Sequence, residues 1–145
     1  MNIAKFLVPL LSCLTTNQYT LQNSSKFIPE ILQQSTHSFM VSFDVQSLFT
    51  NVPLNETIDI IINELFPTQT TLFNGFISRS FRKLLELAVV DTHFIFNNLV
   101  YKQVDGMAMR SQLGSTFANV FMCHIEKPSL INVHPFLKPY FIVHM

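Results

Sequence analysis

The sequence has few charged residues and few glycines. Only 12% of its 145 residues are charged, and nine lysines and arginines balance nine aspartates and glutamates. Proteins that grip nucleic acid usually carry a basic surplus that displaces counterions from phosphates, so we expect weak or no nucleic-acid binding by this chain alone. The three glycines form no phosphate-binding loop motif.

Cysteine is also scarce. Cys13 and Cys123 lie far apart in sequence and lack a partner pattern, so we predict two reduced core thiols, with a disulfide between them as the alternative. The five histidines show no spacing typical of a zinc site.

No apolar run is long enough to cross a bilayer. Residues 2–14 form an apolar stretch that could be mistaken for a secretory signal, but it is too short to span a membrane and no small-residue cleavage site follows it. We therefore expect no membrane contact and an intracellular location, nuclear or cytoplasmic, rather than secretion.

What the chain does contain is apolar. Hydrophobic residues make up 48% of it, including fifteen phenylalanines. A chain of this length and composition predicts a single domain over residues 1–145 with a real core, and disorder only at its ends.

Helical periodicity recurs along the chain. It predicts helices over residues 2–14, 24–34, 54–65 and 76–90, and another that begins near Leu113. Pro9 should kink the first helix or delay its start, and Pro29 is tolerable only in a first turn.

Two segments indicate β-structure, which gives an α+β fold class that is rich in helix and has a small antiparallel sheet. Asn97 and Asn98 can supply the positive φ angles of a two-residue turn, so residues 93–104 predict a hairpin. Residues 39–45 predict a short buried strand that delivers Asp44 near its end. A buried carboxylate is costly without partners, so Asp44 should accept backbone hydrogen bonds or bind a cation.

The sequence around Asp44 resembles motif A of reverse transcriptases. Residues 42–58 read Ser-Phe-Asp-Val-Gln-Ser-Leu-Phe-Thr-Asn-Val-Pro-Leu-Asn-Glu-Thr-Ile, which is similar to the Penelope-like retroelements, a branch related to telomerase. We place motif A at about residues 39–53. The resemblance implies a partial polymerase palm in which Asp44 and the Val45 carbonyl bind Mg²⁺. It also implies that Phe49 is a steric gate that excludes a ribose 2′-OH.

A second segment, at about residues 104–122, resembles motif B, the loop and helix that hold the template base and the nascent pair. The resemblance implies nucleotide contacts from Met109 and Ser111 and template contacts from Gly106 and Asn119. The segment departs from the family's Met-Gly-Ser-Pro-Leu-Gly-Pro-Thr. Its three departures are Arg110, Gln112 and Ser115, which stand where Gly, Pro and Pro are expected.

Several parts of an intact polymerase are missing from this sequence. Two catalytic Mg²⁺ ions need several carboxylates, yet the Tyr-x-Asp-Asp motif, the fingers and the thumb are absent and no acidic residue follows Glu126. Truncation or a change of reading frame explains this most simply. We therefore expect an RNA-directed DNA polymerase remnant that is inactive, although the intact family binds an RNA/DNA template-primer.

Two alternatives to the polymerase remnant remain. The chain could be a module that binds nucleic acid or a full-length element, which would require Arg79, Arg82, Lys83 and Arg110 to lie on one face. It could instead be an unrelated structural helical protein whose motif match is accidental. A small sheet with an open edge also predicts self-association.

Overall fold

The computed structural model describes residues 3–18, 20–21, 23–32, 44–68, 70–89, 93–104, 106–108, 111–131 and 141–142. Within these residues the helices are α1 (Ile3–Leu11), α2 (Ser24–Leu32), α3 (Leu48–Asn51), α4 (Leu54–Leu65), α5 (Ser78–Val89) and α6 (Gly114–Ile131), with a 3₁₀ helix at Ser12–Leu14. The strands are β1 (Thr20–Leu21), β2 (His93–Phe96), β3 (Leu99–Lys102) and β4 (Phe141–Ile142). The predicted α+β class, rich in helix with a small antiparallel sheet, is confirmed.

Helices α1, α4, α5 and α6 build the core. Helix α4 contacts both α5 and α6, while α1 packs on α5. Each of the four contributes side chains that are fully buried, and burial of such side chains is the main favourable term in folding. Examples are Leu7, Leu11, Ile58, Ile61, Phe81, Leu85 and Phe117.

Helix α4 confirms the periodicity of its sequence and extends it. Asn55, Glu56, Asp59 and Asn63 are exposed, as predicted from their positions opposite the apolar face. Ile60 is also buried, which the predicted single face did not include. The buried face is wider because α4 lies between two other helices.

A group of phenylalanine rings closes the core around α5. The Phe81 ring lies 5.7 Å from that of Phe66, 5.6 Å from that of Phe73 and 6.0 Å from that of Phe76. These centroid separations and tilted or edge-on geometries are those that aromatic pairs prefer. Part of the chain's high phenylalanine content therefore goes into a single packed cluster.

The predicted hairpin is confirmed. Strands β2 and β3 pair antiparallel with His93 opposite Lys102 and Phe96 opposite Leu99. Asn97 and Asn98 have φ angles of 50° and 61°, the left-handed values that a two-residue turn requires. All eight residues of the two strands are exposed.

The first helix does not start late and Pro29 does not lie in a first turn, so those two predictions are wrong, while a kink at Pro9 stays a prediction. Pro9 lies inside α1, which begins at Ile3, and Pro29 is the sixth residue of α2 rather than part of its first turn. An interior proline costs about 3 kcal/mol. In α1 the full burial of Leu7 and Leu11 offsets that cost, since each buried leucine contributes about 1.5 to 3 kcal/mol.

One pair of strands was not predicted from the sequence. Strands β1 and β4 pair in parallel, with Thr20 opposite Phe141 and Leu21 opposite Ile142. Two residues are too few to show an alternating pattern. Sequence periodicity therefore could not reveal this strand pair.

The prediction that both cysteines lie in the core is confirmed for Cys123, which is buried, and wrong for Cys13, which is exposed. Both thiols are free. Among the helices in the described ranges, none combines the length and apolar character needed to cross a membrane.

Candidate nucleotide site

Asp44 and Val45 approach α3 as an exposed segment without regular structure. Residues 39–43 of the predicted strand lie outside the described residues. The predicted buried strand is therefore wrong at its C-terminal end, because Asp44 and Val45 lie outside any strand. They lead directly into the turn at residues 46–47 that begins α3.

The turn into α3 depends on a left-handed residue that is not glycine. Ser47 has a φ of 53°, a conformation that costs about 1 to 2 kcal/mol in such a residue. Its carbonyl oxygen accepts hydrogen bonds from the Thr50 N–H at 3.1 Å and the Asn51 N–H at 3.2 Å. It also accepts one from the Thr50 hydroxyl at 2.9 Å. These bonds hold α3 in place although it is only four residues long.

Helix α3 is joined to the loop at residues 106–108, part of the predicted motif B segment, through the backbone at Phe49. The Met107 N–H donates a hydrogen bond to the Phe49 carbonyl oxygen at 2.7 Å. Beside it, Gly106 has a φ of 74°, and a Cβ there would lie 2.5 Å from the Thr50 carbonyl oxygen. Only glycine fits this close approach. The structure therefore brings the predicted motif A and motif B segments into direct contact.

The Phe49 ring lies at the start of α6. A Cβ added to Gly114, the first residue of that helix, would lie 3.7 Å from two ring carbons of Phe49 and 2.9 Å from the Ala108 carbonyl oxygen. Phe49 is half-buried and packs on the core. The ring that the sequence predicts as a steric gate thus belongs to α3 and lies against the start of α6.

Ser111 shapes the turn that starts α6. Its N–H donates to the Ala108 carbonyl oxygen at 2.8 Å, and its own carbonyl accepts from the Gly114 N–H at 3.0 Å. Its hydroxyl oxygen accepts the Leu113 N–H at 3.4 Å. Asn119 is half-buried further along α6. Met109 and Arg110 lie outside the described residues.

The described residues do not supply a ligand set for Mg²⁺. No three side chains of His, Cys, Asp or Glu come together there in a way that could hold a metal ion. Asp44 is one exposed carboxylate, and two Mg²⁺ ions require several converging oxygens. The Mg²⁺ prediction therefore stays a prediction, and no reaction step is derived through the ion.

Two of the three basic side chains of α5 already face carboxylates. The Arg82 guanidinium lies 2.5 Å from the Asp59 carboxylate, and the Lys83 amine lies 3.6 Å from the Glu86 carboxylate. Arg79 is exposed on the same helix. A basic side chain that is paired with a carboxylate is less available to bind a phosphate. This geometry therefore does not favour the nucleic-acid-binding alternative.

Glu126 is a buried acid that the sequence reasoning missed. Its side chain on α6 accepts a hydrogen bond from the Asn17 amide nitrogen at 2.7 Å. Burial raises the pKa of the carboxyl, and the bond from Asn17 opposes part of that rise. Its burial could have been predicted from the sequence, because Glu126 follows the predicted core residue Cys123 by three positions and so lies on the same face of a helix.

Burial also raises the pKa of the Cys123 thiol, and the nearby Glu126 charge adds to the effect. Cys123 and Cys13 line one small cavity of about 150 Å³, together with the ion pair of Lys127 and Glu64 at 2.8 Å. None of the predicted site residues lines this cavity.

Comparison with known proteins adds no relative to this description. No protein-family model, no curated protein and no solved structure matches the chain. The function is therefore argued from the residues and their geometry alone.

Proposed function

We propose that this chain is a remnant of the RNA-directed DNA polymerase of a Penelope-like retroelement, built on part of a polymerase palm and catalytically inactive as it stands. The observation that carries the proposal is the contact between the two motif segments. The hydrogen bond from the Met107 N–H to the Phe49 carbonyl oxygen joins residues that are 58 positions apart. An accidental match of two separate motifs gives no reason for them to meet.

The positions of the proposed nucleotide-contacting groups support this proposal further. A polymerase must hold a gate residue beside the loop on which the nascent base pair rests. Here the Phe49 ring borders the first turn of α6, and Ser111 lies in the loop that leads into it. These residues could position a nucleotide, but positioning alone does not transfer a phosphoryl group.

The proposed loss of catalysis rests on the carboxylates. The polymerase reaction needs metal ions that stabilise both the attacking and the leaving oxygen. Asp44 is exposed, and no cluster of three candidate ligands forms among the residues described. The sequence contains no Asp-Asp pair. In this proposal the template-primer, Mg²⁺ and an intracellular location belong to the ancestral enzyme.

Primer extension on an RNA template, with Mg²⁺ or Mn²⁺, tests the proposed inactivity. We expect no extension by this chain and none by an Asp44→Ala variant, with an active reverse transcriptase as the positive control. Extension by the chain that disappears in the variant would overturn the inactivity and would mean that another residue completes the metal site.

A chimera tests the ancestry separately. Residues 39–122, with Arg110→Gly, Gln112→Pro and Ser115→Pro, would replace the motif A to motif B segment of an active Penelope-like reverse transcriptase. We expect measurable extension by the chimera and its loss on Asp44→Ala. A folded chimera that binds template-primer but never extends it would contradict the proposed descent.

A further inference from the structure

The two cysteines of the chain lie on elements that pack against each other. Cys13 is the central residue of the 3₁₀ helix at Ser12–Leu14, and Cys123 lies on α6. That 3₁₀ helix contacts α6, with Cα atoms of the two elements within 8 Å of one another. A disulfide joins cysteines whose Cα atoms are about 4.4 to 6.8 Å apart. The fold therefore brings two thiols that are distant in sequence into the same neighbourhood.

Both thiols border one cavity, of about 150 Å³, whose wall also includes Ile60 and Val120. A cavity needs only about 10 to 15 Å³ to hold a water molecule, so this one leaves a cysteine side chain room to rotate. The Cys13 thiol donates a hydrogen bond to the Leu10 carbonyl oxygen at 3.6 Å. A thiol is a weak donor, so this bond opposes the rotation of Cys13 towards Cys123 only slightly.

The two thiols differ in their access to solvent. Cys13 is exposed and Cys123 is buried. Burial raises the pKa of the Cys123 thiol, and the nearby Glu126 charge adds to the rise. A hydrogen bond with Thr20 and the Lys127 charge oppose part of it. Since the thiolate is the nucleophile, Cys123 reacts slowly with reagents in solution, and Cys13 is the thiol that they reach first.

A second contact holds the same two stretches of chain together. The Asn17 amide nitrogen donates a hydrogen bond to the Glu126 carboxylate at 2.7 Å. Asn17 follows Cys13 by one turn's length of chain, and Glu126 follows Cys123 by three positions. The neighbourhood of the two thiols is therefore fixed by contacts on both sides of the cysteine pair.

We propose that Cys13 and Cys123 form a reversible redox site, in which Cys13 reacts with a small disulfide such as oxidised glutathione and Cys123 resolves the product. The Cys13 thiolate attacks the small disulfide, forms a mixed disulfide and releases one thiolate. The Cys123 thiolate then attacks the Cys13 sulfur, which forms the Cys13–Cys123 bond and releases the second thiolate. The protons of both protein thiols end on the two released thiols, so one small disulfide is reduced for each protein disulfide formed.

The exposure of Cys13 makes the bond reversible. Exposed disulfides are among the labile and regulatory ones, and disulfides in reducing compartments are usually transient or redox-sensing. A reducing thiol can attack the Cys13 sulfur from solvent and restore both free thiols. The site depends on thiol chemistry alone, so its test is independent of the polymerase proposal.

Oxidation of the wild-type chain in a glutathione buffer tests the site. The folded protein is equilibrated with oxidised and reduced glutathione, quenched with acid, and measured by intact mass spectrometry. We expect a product that is lighter by two hydrogen atoms, and a peptide map that joins Cys13 to Cys123. A lasting glutathione adduct, a disulfide-linked dimer or two unreacted thiols would each overturn the proposal.

The same equilibration in urea provides a control that needs no variant. The equilibrium constant for disulfide formation measures the effective concentration of one thiol at the other. We expect this constant to be larger in the folded protein than in urea by about tenfold or more, because the fold holds the two thiols together. Equal constants would show that the fold does not bring them together.

Two serine variants separate the roles of the thiols. Cys123→Ser should accumulate the glutathione adduct at Cys13, because no second thiol is left to resolve it. Cys13→Ser should stay unmodified, since its remaining thiol is buried. Circular dichroism checks that both variants are folded. Modification of Cys123 in folded Cys13→Ser, at the rate seen for Cys13 in the other variant, would contradict the assigned order.

Discussion

Gly106 is the residue on which the contact between α3 and the loop at residues 106–108 depends. Its φ is positive, and its Cα faces the Thr50 backbone so closely that a methyl group would lie 2.5 Å from the carbonyl oxygen. Gly75 also has a positive φ, of 80°, but nothing lies within 4 Å of the position of its Cβ. A substitution at Gly75 therefore tests backbone strain alone, whereas one at Gly106 tests strain together with a steric clash.

We predict that Gly75→Ala lowers the free energy of unfolding by about 1 to 2 kcal/mol, the cost of a left-handed residue. Gly106→Ala should cost about 2 kcal/mol more, because the methyl group also pushes α3 away from the loop. Urea denaturation of the two variants measures both values. Equal losses would show that the contact with Thr50 tolerates a side chain.

The sequence predicted some residues of the candidate site and missed others. The motif resemblance selected Phe49, Gly106 and Ser111, and the structure brings all three to one region. It could not show that Asp44 is exposed and outside any strand, because that depends on where the chain turns. It also missed Glu126, since nothing local in the sequence shows that Asn17 lies beside it.

At the scale of secondary-structure elements, sequence periodicity predicted helices correctly where the apolar face was long. Helices α4 and α5 lie within a residue or two of the predicted ranges, since twelve residues give the buried face about three full turns. The prolines of α1 and α2 were misjudged because local propensity was weighed without tertiary packing. The two-residue strands β1 and β4 carried no readable signal.

Phe81 on α5 lies at the centre of the phenylalanine cluster. It is fully buried and lies against the rings of Phe66, Phe73 and Phe76. We predict that Phe81→Ala lowers the free energy of unfolding by about 3 to 5 kcal/mol through lost burial and a cavity. The exposed Leu87 on the same helix provides the control, because Leu87→Ala should change stability by no more than about 0.5 kcal/mol.

Thermal and urea unfolding of both alanine variants measure this difference. A loss at Phe81 no larger than that at Leu87 would mean that the ring cluster does not stabilise the fold.

At the scale of the whole molecule, the bond between Asn17 and Glu126 ties the chain's first segment to its last long helix. Burial raises the pKa of Glu126 above its ordinary value of 4.5, so the folded state holds the proton more firmly than the unfolded state. The stability this gives is fully present below pH 4.5 and is lost as pH rises through the folded-state pKa.

We therefore predict that Glu126→Gln, which stays uncharged and can still accept the Asn17 bond, gains stability relative to wild type as pH rises from 4.5 to 7. Asn17→Ala should act in the opposite direction, because it removes the bond that favours the charged carboxylate. Its destabilisation should be greater at pH 7 than at pH 4.5. Urea titrations at several pH values measure these differences, and parallel curves for all three proteins would rule out Glu126 as the titrating group.

The same bond has a consequence for biosynthesis. Asn17 and Glu126 are separated by 109 residues, and at 5 to 20 residues per second a ribosome needs about 5 to 20 s to make that span. Throughout this interval the segment after α1 lacks its partner, and the exposed hairpin formed by β2 and β3 is made before Glu126 is added. We expect the Asn17 contact to form only after α6 has left the ribosome, and the nascent chain to depend until then on chaperones that shield apolar segments.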